Sequence, residues 1–121
     1  FDTYSPNKKV VDKDLGFIDL LLTYFDMEHV GSRTFNVLSS GQQQIIIFIR
    51  ALVQSPELLL LDEPYQGLDW VTVKKCNYLL TMLLENSDVA LIFVSHFAQE
   101  IPEIVDEYYL IDQGKLVKME K

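Results

Sequence analysis

The stretch Leu58-Leu59-Leu60-Leu61-Asp62-Glu63-Pro64 decides the fold. It follows a clear break at Ser55-Pro56-Glu57. Four leucines in a row make a short, unbroken apolar run, the pattern of a strand buried on both faces of a parallel sheet. A second run, Val89 to Val94 (VALIFV), has the same character and ends on Ser95-His96. Between the two, Val71, Val73, Cys76, Leu79, Leu80, Leu83 and Leu84 recur at helical spacing, which predicts an amphipathic helix through about residue 86. Buried strands alternating with helices define an α/β architecture with a parallel sheet.

Toward the C-terminus, Asn86-Ser87-Asp88 marks a turn, and a short helix is expected over 98–105 with Pro102 inside it. Tyr108 to Ile111 and Lys115 to Met119 flank Asp112-Gln113-Gly114, a hairpin signal. Toward the N-terminus, Leu15, Ile18, Leu22 and Phe25 follow a capping Asp14, predicting a helix over about 14–28 that Gly31 stops. Phe17, Tyr24, Phe25 and Phe48 sit at core spacing. Residues 31–40 read as a loop whose two final serines, followed by Gly41, are a good helix start. The next segment, QQQIIIFIRALV over 42–53, is ambiguous by itself. Ile45 to Ile49 is β-prone, whereas the flanking glutamines and Arg50-Ala51-Leu52 favour helix.

Composition bounds the function. At 121 residues, with 49% hydrophobic and 23% charged side chains, the chain is one domain or part of one and is not intrinsically disordered. Acids outnumber bases 18 to 10, for a net charge of -8. That argues against a broad nucleic-acid or anionic-membrane footprint, which needs clustered Lys and Arg. A local phosphate site stays open, because backbone N–H groups can build one. Cys76 is the only cysteine, so neither an internal disulfide nor a cysteine-based zinc site can form, and a reducing compartment is expected. The first residue is Phe1 rather than Met, so the chain is expected to be processed or cut from a larger protein.

Ligands of parallel sheets bind beyond the carboxyl ends of the strands. Both apolar runs end there in reactive residue types, Asp62-Glu63 and Ser95-His96. A carboxylate at a strand end can hold Mg²⁺ directly or through water, and a neighbouring one can orient or deprotonate a water. An acidic turn before Pro64, or a histidine satisfied by backbone, would explain either pair alone. Leu38-Ser39-Ser40-Gly41-Gln42 opening a helix offers hydroxyls and free N–H groups to a phosphate; an ordinary N-cap would look the same.

Taken together, these segments resemble the second half of an ATP-binding cassette (ABC) ATPase domain. Leu38-Ser39-Ser40-Gly41-Gln42 is similar to the family's signature motif, with Arg50-Ala51-Leu52 at the usual offset. Leu58 to Asp62 with Glu63-Pro64 resembles the Walker B strand and its glutamate. Gly67-Leu68-Asp69 resembles the D-loop, and Ser95-His96 the switch histidine. Five elements in order and at the right spacing make the resemblance specific, over about residues 15–119.

The resemblance implies the C-terminal part of a P-loop NTPase sheet with flanking helices and a terminal hairpin, and it makes 42–53 a helix. It places residues 1–41 in the helical subdomain and 42–121 in the back half of the catalytic core. It implies ATP and Mg²⁺ as cofactors: Asp62 would bind Mg²⁺ through water, Glu63 would be the catalytic residue that acts as general base or orients the water, and His96 would contact the γ-phosphate. Ser39, Ser40, Gly41 and Gln42 would close over a nucleotide held by a second cassette, in the same chain or in a homodimer, and Asp69 would couple the two sites. A membrane permease subunit is the further partner implied, with a cytoplasmic location at the inner face of the membrane.

Departures from the family pattern qualify this. No GxxxxGK motif followed by Ser or Thr occurs, and no glutamine precedes Gln42, so the phosphate loop and the Q-loop glutamine are not in this sequence. Ser40 stands where glycine is commoner, Ile45 where many relatives carry Arg, and Trp70 where Pro is frequent. The simplest account is a C-terminal piece of an ABC ATPase, inactive alone and prone to self-association. SSGQQQ, DEPYQGLD and SHFAQEIP resemble most the tandem-cassette proteins associated with molybdate transport. Two other readings are kept: the C-terminal lobe of a chromosome-maintenance or DNA-repair ABC ATPase, which long upstream heptads would favour, and a non-catalytic module that completes a partner's ATP site.

Overall fold

A computed structural model of the chain describes residues 12–30, 35–54 and 56–120. The chain divides into two compact units, one of residues 1–56 with 66–68 and one of 57–65 with 69–121.

In the first unit, helix α1 (Asp12–Tyr24) packs against helix α2 (Ser40–Val53). α1 opens two residues before the expected cap Asp14 and ends well before residue 28. The reason is a left-handed turn: Asp26 takes φ 57°, the Met27 N–H donates to the Leu22 carbonyl at 2.7 Å, and the Asp26 N–H donates to Thr23 at 3.0 Å. Those paired bonds satisfy the last carbonyls of the helix, and aspartate tolerates the left-handed region better than most residues. The chain then makes one 3-10 turn, Glu28–Val30. Gly31, the expected stop, lies outside the described residues.

α2 settles the ambiguity of 42–53 in favour of helix. The Gln42 N–H donates to Ser39 Oγ and the Ser39 N–H donates to Gln42 Oε1, both at 3.1 Å. This reciprocal capping box satisfies two donors that a helix start leaves unpaired. Ile45, Phe48, Ile49 and Leu52 then fall on one buried stripe, so the isoleucines that look β-prone by composition are used at helical period. From α1 and its turn, Leu21, Leu22, Phe25, Met27 and Val30 are buried as well. Phe17 does not join them; contrary to its core spacing it is exposed.

In the second unit, strands β1 (Leu58–Asp62) and β2 (Ala90–Val94) pair in parallel, with Leu58 opposite Ala90 and Asp62 opposite Val94. Helix α3 (Trp70–Glu85) connects them, the strand–helix–strand order expected of a parallel pair. Asp69 caps α3, Val73, Cys76 and Leu80 form its buried stripe, and the Asn86 and Ser87 side chains close its end by donating to the Met82 and Leu83 carbonyls. β1 differs from the expectation of burial on both faces. Leu59 and Leu61 are buried, but Leu58 and Leu60 are each about half exposed, and Ile92 of β2 is 50% exposed. Alternation along a pleated strand sends successive side chains to opposite faces, and among the described residues only one face is covered.

The helix expected over 98–105 is a single 3-10 turn, Ala98–Glu100. Pro102 is the reason: it has no N–H to donate and holds the preceding residue, Ile101, in extended backbone. Strands β3 (Tyr108–Asp112) and β4 (Lys115–Met119) form the antiparallel hairpin. Its two-residue turn places Gln113 and Gly114 at φ 49° and 77°, the positive pair that matches strand twist.

Candidate functional site

The second unit brings Glu63 and His96 together. β1 and β2 run side by side in register, so the residues after each strand emerge next to one another. The Glu63 N–H donates to the Val94 carbonyl at 2.8 Å, which carries the ladder one residue past the strand. Glu63 then turns left-handed, at φ 49°, just before the buried Pro64. A left-handed conformation is costly for a residue with a Cβ, and such residues gather where function over-determines the backbone. Its carboxylate Oε1 meets His96 Nδ1. The imidazole is 84% exposed and the carboxylate 23%, so the pair presents a ring to solvent and keeps the acid sheltered.

His96 is carried by a tight turn. The Phe97 N–H donates to Ser95 Oγ at 3.0 Å, spanning the histidine, and the Ser95 hydroxyl lies 3.1 Å from Glu100 Oε1. Asp62, the last residue of β1, is exposed beside this pair in sequence.

Asp69 is exposed and works first as a cap: its Oδ1 accepts the Thr72 N–H at 2.7 Å. The Thr72 backbone and side-chain hydrogen bonds, aided by Lys75, hold its carboxyl below the usual aspartate range. At the start of α3, Lys74 Nζ stands 5.7 Å from the centre of the Trp70 ring.

Ser39, Ser40, Gly41 and Gln42 lie in the first unit, at the start of α2. Ser39 and Ser40 are exposed. A Cβ placed on Gly41 would lie 3.9 Å from Leu68 Cδ2 and 4.0 Å from the Gly67 carbonyl, ordinary contact distances. The fold itself therefore does not require glycine at this position.

Among the described residues, no group of three His, Cys, Asp or Glu side chains could hold a metal ion. A single exposed carboxylate such as Asp62 fits a Mg²⁺ that keeps its waters and is shared with a nucleotide's phosphates, since Mg²⁺ dehydrates reluctantly. Among the described residues no helix is long and apolar enough to cross a membrane.

Sequence reasoning named both members of the Glu63–His96 pair but not what surrounds them. Tyr65 is 1% exposed; its hydroxyl donates to Asn77 Oδ1 at 2.5 Å, and Asn77 Nδ2 donates to the Glu100 carbonyl at 3.0 Å. Burial, and then the nearby Cys76 and Glu100, push the Tyr65 phenol far above its usual range. No local spacing links residues 65, 77 and 100, so no sequence pattern could have found them.

Residues 5–66 match the ABC transporter family. The chain is 35% identical over 109 residues to an uncharacterised ABC transporter ATP-binding protein of Schizosaccharomyces pombe, covering 90% of this chain and 22% of that protein. It is also 35% identical over 109 residues to a sulfate/thiosulfate import ATP-binding protein of Pectobacterium atrosepticum, covering 90% of this chain and 32% of the relative. Among solved structures, an inward-facing metal-chelate-type ABC transporter superposes with a TM-score of 0.70 at 27% identity, over 96% of this chain and 46% of the other. This chain belongs to the ABC transporter family, and its fold is that of the family's nucleotide-binding domains. It spans between a fifth and a third of the length of these two relatives.

Proposed function

We propose that the chain is the C-terminal part of an ABC ATPase that binds and hydrolyses ATP at an interface between two cassettes to power membrane transport. The observation that carries this reading is the Glu63–His96 pair at the carboxyl ends of two adjacent parallel strands. An acidic turn alone would not need a histidine on it, and neither would a cap.

In this reading Glu63 orients the attacking water and accepts its proton, and His96 faces the γ-phosphate. A neutral imidazole carries one N–H. A ring that donates Nδ1–H to Glu63 presents Nε2 as an acceptor; with the proton on Nε2 instead, it donates to a phosphate oxygen and gives up its hydrogen bond to the Glu63 carboxylate. Asp62 would hold Mg²⁺ through water; the ion would supply charge neutralisation at the phosphates. Ser39, Ser40, Gly41 and Gln42 would close over a nucleotide of the partner cassette with the free N–H groups of a helix start, and Asp69 would link the two sites. Residues 1–41 then belong to the helical subdomain and 42–121 to the core.

The second cassette lies in the same chain, if the tandem arrangement applies, or in a second copy. The relatives are named for import and transport, which supports a permease subunit as the further partner and a place at the inner face of the membrane. The test is Glu63→Gln in the full-length protein. MgATP binding is expected to persist while turnover falls by about 10²–10⁴-fold, the usual contribution of a positioned general base. Wild-type turnover in that variant would overturn the assignment.

A further inference from the structure

The His96 side chain is 84% exposed, so burial of its ring contributes little to holding it in place. Its orientation has to come from the backbone on either side and from whatever fixes that backbone. A closed circuit of bonds does this. It leaves Glu63 along the chain through Pro64 to Tyr65, crosses from the Tyr65 hydroxyl to Asn77, and from Asn77 Nδ2 to the Glu100 carbonyl. From the Glu100 carboxylate it passes to Ser95 Oγ, which also receives the Phe97 N–H, and so brackets His96. The circuit closes where His96 Nδ1 meets Glu63.

Asn77 is the link that makes this specific. It stands on α3 and uses both ends of its amide, accepting from a phenol and donating to a carbonyl. Neither an acid nor an apolar side chain of that size can do both. Tyr65 is held by burial and by an edge contact with Phe93 of β2, ring centres 5.4 Å apart, so its hydroxyl has a fixed direction. Tyr65 is buried and the links through Asn77, Glu100 and Ser95 are partly buried, and a polar network whose members are all satisfied favours one geometry.

We propose that Tyr65, Asn77 and Glu100 are positioning residues that set the His96 turn against Glu63. The kinetic consequence rests on the function proposed above; the geometric one does not. Positioned side chains hold a productive geometry only when the groups behind them are locked, and a small displacement lowers turnover more than binding.

The test uses the full-length protein labelled in histidine, with the imidazole nitrogen resonances of His96 as the readout and those of His29 as the internal control. Tyr65→Phe deletes one hydroxyl and keeps the ring; Glu100→Ala removes the carboxylate that meets Ser95 Oγ and leaves the bond from the Phe97 N–H to Ser95 Oγ in place. In both variants the His96 signals are expected to move toward their position in Glu63→Ala, with His29 unchanged. The rate constant kcat should fall by about threefold to tenfold, the loss of one hydrogen bond, with KM changed by less than about twofold. His96 resonances that stay in place in both variants would overturn the proposal, and if Tyr65→Phe does not fold, Glu100→Ala decides. Should His96→Ala leave ATP turnover intact, the proposed function fails, while the resonances still decide whether the circuit positions the ring.

Discussion

The Nδ1 of His96 meets the Oε1 of Glu63 although the two residues are separated by a whole helix and a strand. Parallel pairing of Asp62 with Val94 is what places them side by side. Groups that act as one unit are non-additive when removed. In the full-length protein, His96→Ala and Glu63→Gln are each expected to lower turnover strongly, and the double variant to be scarcely slower than the worse single one. Rate effects that multiply in the double variant would show that the two side chains act separately.

Gly41 offers a cleaner separation of folding from function. The space around it accepts a Cβ, and alanine is favoured over glycine inside a helix by about 1 kcal/mol. Gly41→Ala is therefore expected to leave thermal stability unchanged or raise it slightly. If the start of α2 approaches a partner's nucleotide, the same methyl should weaken ATP-driven association of two cassettes. Calorimetric unfolding and sedimentation with ATP measure the two effects; a destabilised variant with normal association would contradict both halves.

Cys76 is fully buried, and burial pushes its thiol from 9.0 up to about 12. The unfolded chain ionises this thiol first, so it binds fewer protons than the folded chain at alkaline pH, and stability falls as pH rises. The contribution is whole below about pH 9 and is lost between about 9 and 12, by at most about 1.4 kcal/mol per pH unit. Denaturant unfolding of wild type and Cys76→Ala across that range checks it: the variant should show a shallower decline. In the native state at neutral pH the thiol should also resist an aqueous thiol reagent.

The 121-residue chain by itself is expected to self-associate. Leu58, Leu60 and Ile92 expose about half their surface on the strand pair, and Ile111 and Leu116 of the hairpin are 70% and 66% exposed. Fully burying an exposed side chain of this size gains roughly 1.5–3 kcal/mol, so each of these gains about half of that or somewhat more when covered, and screening at physiological salt weakens the opposition from a net charge of -8. Sedimentation at tens of micromolar reads the result, and a monomer there would refute it.

The same chain is expected to bind MgATP weakly, because its sequence holds no GxxxxGK loop to cradle the β- and γ-phosphates. Micromolar affinity by calorimetry would overturn this.

The apolar runs at 58–61 and 89–94, and the helical stripe between them, were legible because a parallel strand–helix–strand unit leaves its period in the sequence. So was the hairpin, whose Gln113-Gly114 turn requires positive φ. The reach of local pattern ended at α2 and α1. Residues 42–53 carry β-prone isoleucines, and it took the Ser39–Gln42 capping box and a buried stripe packed in the first unit to make them helix. The end of α1 was set by hydrogen bonds around Asp26. Candidate residues could be named one by one from strand ends and motifs, because those are local. That Glu63 turns left-handed, that it touches His96, and that Tyr65, Asn77 and Glu100 tie the two together are relations between residues distant in sequence. Only strand pairing and the placement of α3 decide them, since hydrogen bonds depend on distance and direction in space and leave no periodic trace along the chain.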